Sequence, residues 1–593
     1  NRSRVVAALE SLTRLCNKSK NTILMANELN LVGDVLSTID RNMWDRSVRY
    51  AASQSMCSLV KNNVGSTLNL RDEGLIDNFV SLMQVDIRDA DTLQYACEAV
   101  ARLSTSQANL EYIFEKGGTN TVLHSLSHNL CCSSLQVAGM HALIQFSKFV
   151  PCHDAILSRG GISIVISNLA FAAKSNLPGL ARMGLLALFA FSQNDISKNA
   201  IVRSGGISAA LSVIPYFKHD PQIIHIGLLT LHVICRGVEE HINILYGKGG
   251  VGVILSCLVC LPDNNEICVS GLQTLRTLYT RNDNKTHHTS AQELCELTRV
   301  LAILCERYFL EPRMLLEVCL TIECVCMDPG CWSFFVKHGL VQDLVKSMVL
   351  WNCNPNLLIQ GISTFSYLLS LHKNVKNQGT LCGVIDAIVT GISKHREMFC
   401  VVSIGLRVFD LFKEDISVVQ NIVALGGINI CLGACSSFCC NEGFVEQAVT
   451  TAASLLKTFM ETPDLYRRFA LNGNLTRGKT LPGVFECMLS YPCNARIQSE
   501  LYSVLDYVFK NNFFFISFLH REIKGVKPII ENLCTTFNHI GEWKRYDGSI
   551  YFAGNKTFYF QYFMEKSLKI LMRLVAVTLQ ISDTSILEIV GFE

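Results

Sequence analysis

The chain has 593 residues, 49% of them hydrophobic and 17% charged, and its 52 basic and 50 acidic residues leave a formal net charge of +2. So few charges, with only 12 prolines, exclude a mostly disordered chain, and the balance of signs lacks the basic excess of a nucleic-acid coat. No run of about 18 apolar residues is free of charge and strong polarity, so the apolar residues read as many helices, each buried on one face.

In chain order, the opening NRSRVVAALESLTRLC already reads as the last helix of a cut unit, at 1–20. The first residue is Asn1, so the chain is expected to be an excerpt with neighbours at both ends. From there a beat sets in. Segments NLEYIFEKGG, CHDAILSRGG, SKNAIVRSGG, HINILYGKGG and VVQNIVALGG close on Gly118, Gly161, Gly206, Gly250 and Gly427. Gly74, Gly339 and Gly383 keep the same phase, with steps of 43 to 45 residues or twice 44 to 45.

A second landmark follows it. A small residue sits within a longer apolar helix at Ala8, Ala52, Ala96, Gly139, Gly184, Gly227, Gly271, Gly361, Gly405 and Ala448, and again at Ser567, while Val318 and Leu501 fill the slot less well. Glycine in mid-helix costs about 1 kcal/mol against alanine, so its recurrence needs a packing reason. Within 91–130, Leu93, Ala96, Val100 and Leu103 share one helical face. A turn near Ser104–Gln107, a short helix with Ile113 and Phe114, and the Gly117-Gly118 corner come next. Thr119 or Asn120 is expected to cap the following helix, whose apolar side is Val122, Leu123 and Leu126. One such unit cannot bury its apolar faces alone, and stacked units give a solenoid.

The three-helix unit with its GGI or GGV corner (Gly161-Ile162, Gly206-Ile207, Gly250-Val251, Gly427-Ile428) resembles the armadillo repeat over nearly the whole chain. The resemblance implies an all-α, right-handed superhelical armadillo-type solenoid over 1–593, with regular repeats at about 21–472 and less regular ones at 473–593. It also implies that third helices line a groove holding extended peptides or partner helices. Armadillo proteins that clamp peptide backbones carry an asparagine six residues after the small position. Here that slot holds Arg14, Ser58, Arg102, Gln145, Ala190, Val233, Thr277, Cys324, Tyr367, Leu411, Ser454, Tyr507 and Arg573. The asparagine ladder is missing, so recognition of basic import signals is not implied. Arg14, Ser58, Arg102, Gln145, Tyr367 and Tyr507 remain the candidate partner-binding residues, with an apolar mid-groove suited to an amphipathic helix.

The beat breaks at 281–292, at 474–482 and at 541–560, where Asp547-Gly548 and Gly554-Asn555 suggest a hairpin. Such insertions map to loops, often on a binding face. Single cysteines among the 26 sit on apolar helical faces, where a thiol behaves as a small hydrophobe, and point to a reducing compartment rather than a disulfide scaffold. Cys257-Leu-Val-Cys260 and the stripe Cys431, Cys435, Cys439 read as core, and His287-His288 is a weak metal signal. No phosphate-binding loop, nucleophile elbow, HExxH or dinucleotide motif stands in a suitable context. The expectation is a non-enzymatic, cofactor-free scaffold with protein partners, cytoplasmic and of a cytoskeletal or ciliary kind. The alternative is a regulatory arm of a larger kinase or GTPase whose catalytic domain lies elsewhere.

Overall fold

The computed structural model describes residues 2–18, 31–42, 44–62, 74–279, 291–325, 331–371, 378–460, 487–488, 490–491 and 494–509. All regular structure among them is helical. Helix Ala90–Leu103 buries Leu93, Ala96, Val100 and Leu103, the face marked by the periodicity. The Ser104 hydroxyl closes it by donating to the Val100 carbonyl at 2.6 Å. The short helix Gln107–Glu115 then buries Leu110 and Ile113, and Gly118–His128 buries Val122, Leu123 and Leu126.

The two glycines of a corner answer different demands. Gly117, Gly160, Gly205, Gly249 and Gly426 take φ of +80°, +72°, +87°, +75° and +89°. That region costs an L side chain about 1–2 kcal/mol. A Cβ there would meet nothing within 4 Å, so backbone conformation alone requires glycine. The second glycine opens the next helix in a crowded place. A Cβ on Gly118 would lie 2.6 Å from Ile113 Cγ2, and one on Gly250 would lie 2.7 Å from the Leu245 carbonyl oxygen. The corner bends the chain by 70° between Val150–Ser158 and Gly161–Ser175.

Two expectations are corrected here. Thr119 and Asn120 do not cap: Gly117 is the N-cap, no side chain bonds the free amides, and both residues lie inside the helix. Gly383 is on the beat but lies within the helix Gln378–Lys394, outside the positive-φ region, because the chain runs through that position without a corner.

The mid-helix glycines have the packing reason they require. A Cβ on Gly184 would stand 2.7 Å from Leu169 Cδ2, on Gly227 2.6 Å from Ile214 Cγ1, on Gly271 2.7 Å from Leu258 Cδ2, and on Gly361 2.9 Å from Met348 Sδ. Gly139 meets Leu126 and Gly405 meets Ile392 in the same way. Each partner belongs to the second helix of the same unit, so the missing side chain lets second and third helices touch.

Packing divides the chain into two compact units, Asn1–Val300 and Leu301–Glu593. In the first, the third helices Arg2–Lys18, Arg46–Asn62, Ala90–Leu103, Ser133–Phe146, Pro178–Phe191, Pro221–Cys235 and Asn265–Tyr279 pack each on the next. In the second, Pro312–Val325, Pro355–Leu371, Phe399–Leu411, Glu442–Met460 and Ala495–Phe509 do the same. Each unit is thus an all-α solenoid stack. No single described helix is long and apolar enough to cross a membrane. The expected insertions at 281–292, 474–482 and 541–560, with Arg573, lie outside the described residues, apart from Ala291 and Gln292, which open the helix Ala291–Arg307.

Polar groups tie the stack together. Asp89, only 3% exposed, precedes Ala90–Leu103 and accepts from Arg49 at 3.1 Å, Arg46 Nε at 3.2 Å and the Thr92 hydroxyl at 2.8 Å. Arg182 meets Asp220 at 3.2 Å in the same manner: an arginine of one third helix reaches the acid before the next. Buried pairs of this kind add little net stability, but they fix the register of neighbouring helices.

Candidate partner-binding groove

Three consecutive third helices, Ala90–Leu103, Ser133–Phe146 and Pro178–Phe191, leave a groove of about 710 Å³ between their outward faces. The inward faces are fixed by the apolar periodicity, so residues about half a turn away face out. Val137, Ile144, Met183 and Leu186 give it an apolar floor, and Glu98, His141 and Gln145 give it a polar margin. Arg102 bonds to Glu98 at 2.8 Å, and the Lys148 ammonium donates to Gln145 Oε1 at 2.7 Å. Burial first, and Arg102 after it, push the His141 imidazole below its ordinary pKa of 6.5. Further along the third helices, burial and then Arg236 and Arg276 do the same to His232, whose Nδ1 lies 2.8 Å from the Thr277 hydroxyl.

The slot six residues after the small position places its described residues in different surroundings. Gln145 lines the groove and Arg102 bonds to its margin. Arg14 is three-quarters exposed and meets only Glu10, at 3.6 Å, among the ion pairs of its helix. Ser58 is buried and donates to the Gln54 carbonyl at 2.9 Å. Tyr367 sits half-buried on Pro355–Leu371 in the second unit. Tyr507 lies on Ala495–Phe509, and its side chain is outside the described residues.

The buried cysteines behave as packing groups. Burial pushes the Cys257 and Cys431 thiols up to about 12. Cys435 lies well above its ordinary value against Cys487. Two cysteines expected in the core are not buried there: Cys260 is exposed and Cys439 half-buried, because Cys260 ends the helix Gly250–Cys260 and Cys439 lies just past the end of Gly427–Ser437. Among the described residues no three His, Cys, Asp or Glu groups are placed to hold a metal. His287 and His288 lie outside them.

Two polar rows on the repeat beat escaped the sequence analysis. Asn109, His153, Ser197 and His241 are all buried, 44 residues apart, on first helices. Asn109 donates to the Leu103 carbonyl at 3.2 Å, and His241 pairs with the Ile234 carbonyl at 2.9 Å and with Asn199 at 3.1 Å. His153 meets Ser197 at 3.2 Å. Asn109, His153 and His241 reach the carbonyls of Leu103, Ser147 and Ile234 at the ends of third helices, which otherwise lack partners there. The other row joins corners between second and third helices. Asn129 donates to the Ile87 carbonyl at 2.8 Å and, in the second unit, Trp351 donates to Phe309 at 2.7 Å, while His395 pairs with Asn352 at 2.7 Å. Asn109, Ser197 and His241 each open one of the aligned glycine-ended segments, so their shared polarity was a signal available in the sequence.

No family model matches the sequence, and no curated protein matches it. Among solved structures, an engineered protein aligns at 18% identity over 42% of this chain and 96% of its own, with a TM-score of 0.37. A chain from work on a conserved phosphorylation switch that controls the interaction between cadherin and beta-catenin aligns at 13% identity over 92% of this chain and 99% of its own, with a TM-score of 0.56. At that identity the likeness is one of fold, and it agrees with an all-α, armadillo-like solenoid.

Proposed function

We propose that the chain is a non-enzymatic interaction scaffold that holds a partner polypeptide, as an amphipathic helix, in the groove over its third helices. The observation that carries this reading is the floor of Val137, Ile144, Met183 and Leu186 bordered by Glu98, His141 and Gln145. A helix with an apolar stripe and a polar flank matches such a surface, its anchors spaced at three and four residues. Recognition is spread over many modest contacts, and no convergent set of reacting groups is needed. Protein partners are also consistent with the neighbour of similar fold, which comes from work on a protein–protein interaction.

Met183→Asp with Leu186→Asp tests the reading. Both residues are half-buried at the groove, so the charges face the partner rather than the core. Proximity labelling in cells should lose a defined set of proteins in the double variant while its helical circular dichroism and thermal midpoint stay as in the wild type. An unchanged set with an intact fold rejects the groove.

A further inference from the structure

The second helices of the first unit border a different cleft, of about 700 Å³. It lies between the end of Leu75–Val85 with its turn at Asp86–Arg88, one face of Gly118–His128, and the corner at Arg159 ahead of Gly161–Ser175. None of its residues lines the third-helix groove.

Two arginines that line this cleft have their guanidinium groups unspent. Arg88 and Arg159 are exposed and have no side-chain ion pair or hydrogen bond among the described residues. Elsewhere in the same unit, Arg46, Arg49, Arg102 and Arg182 each meet a carboxylate. The one acid on the cleft, Asp86, is already engaged: Arg49 lies 3.3 Å from its Oδ2, and the Arg88 backbone N–H donates to its Oδ1 at 3.1 Å. Two further groups stand by. Asn120 has a buried Oδ1 without a partner. Its amide nitrogen, on a side chain that lines the cleft, carries two N–H donors. The His124 ring stands against His128, centroids 4.4 Å apart, at the cleft wall.

We propose that this cleft binds a phosphoryl group, supplied by a phosphorylated serine or threonine side chain or by free phosphate. Each guanidinium offers five N–H donors in a planar fork that fits phosphate oxygens in pairs. A phosphoryl group carries close to two negative charges and three strong acceptor oxygens, which two arginines, an amide and an imidazole can satisfy together. A single carboxylate, with two oxygens and one charge, would leave much of this donor set unused.

The test is isothermal titration of the 593-residue chain with inorganic phosphate and, separately, with N-acetyl-phosphoserine amide. The variants are Arg88→Ala with Arg159→Ala, and Arg88→Lys with Arg159→Lys, which keeps the charge but not the fork. Arg203→Ala is the control, an exposed arginine at the next corner and outside the cleft. The wild type should bind at least one probe. The double alanine variant should bind about tenfold or more weakly, the double lysine variant in between, and Arg203→Ala as the wild type. Binding of phosphoserine amide alone identifies a modified side chain as the source, and binding of phosphate alone identifies the free ion. No binding of either probe, or a loss as large in Arg203→Ala as in the double alanine variant, overturns the proposal. Both arginines are exposed and unpaired, and unchanged helical circular dichroism confirms that a loss is local.

Discussion

His141 and His232 sit on the third-helix surface with their charged forms disfavoured, chiefly by burial and then by nearby arginines. Folded, both are held below the ordinary 6.5, so as pH falls the unfolded chain takes up protons first. The stability carried by the neutral rings is therefore full above 6.5 and is lost as pH drops through the lower folded values. Thermal midpoints measured between about pH 7.5 and about pH 5.5 should fall further for the wild type than for the His141→Gln, His232→Gln double variant. Parallel curves would show that these rings do not carry the effect. The thiols make a second test at this scale. Burial holds Cys57, Cys97, Cys235, Cys257, Cys319 and Cys431 at about 12, whereas Cys131, Cys260, Cys353, Cys400 and Cys440 are exposed. Since the thiolate is the nucleophile, iodoacetamide at mildly alkaline pH should label the exposed set in the native protein and the buried set only after unfolding. Mass spectrometry of the labelled peptides reads the difference, and early labelling of Cys97 or Cys431 would contradict the packing.

Between helices, the contact of Gly184 with Leu169 shows what the repeat demands. Gly184→Ala overpacks by one carbon and should cost about 1–3 kcal/mol, and Leu169→Ala should cost about 2–5 kcal/mol. Combined, the truncated leucine leaves room for the new methyl, so the double variant should cost clearly less than the sum. Amide hydrogen exchange in Gly161–Ser175 and Pro178–Phe191 measures this, and strict additivity would mean that the two side chains do not meet. The glycine beat was legible because left-handed φ and close approach both exclude every other residue at a fixed place in each unit. The caps were not. Thr119 and Asn120 have the chemistry of a cap, but the corner glycine takes the N-cap position and puts them two and three residues too late. Gly383 shows the converse, an on-beat glycine inside a continuous helix. The slot residues were legible as positions, but the sequence does not show their surroundings, such as the bond from Ser58 to its own helix, because those depend on how neighbouring helices pack.

Across the molecule, each unit is a stack whose third helices present a continuous outward surface, and stability is the sum of unit and neighbour terms. The first unit brings the groove and the arginine cleft together on different helices, so a partner helix and a phosphoryl group do not compete for the same side chains. Photo-crosslinking tests the central claim most directly. A benzoylphenylalanine replaces Leu186 at the groove or, as a control, Ser256 on the exposed side of Gly250–Cys260, and the protein is irradiated in cells. The account predicts discrete protein adducts from position 186 that are absent from position 256. No adduct at 186, or the same adducts at both positions, would contradict it.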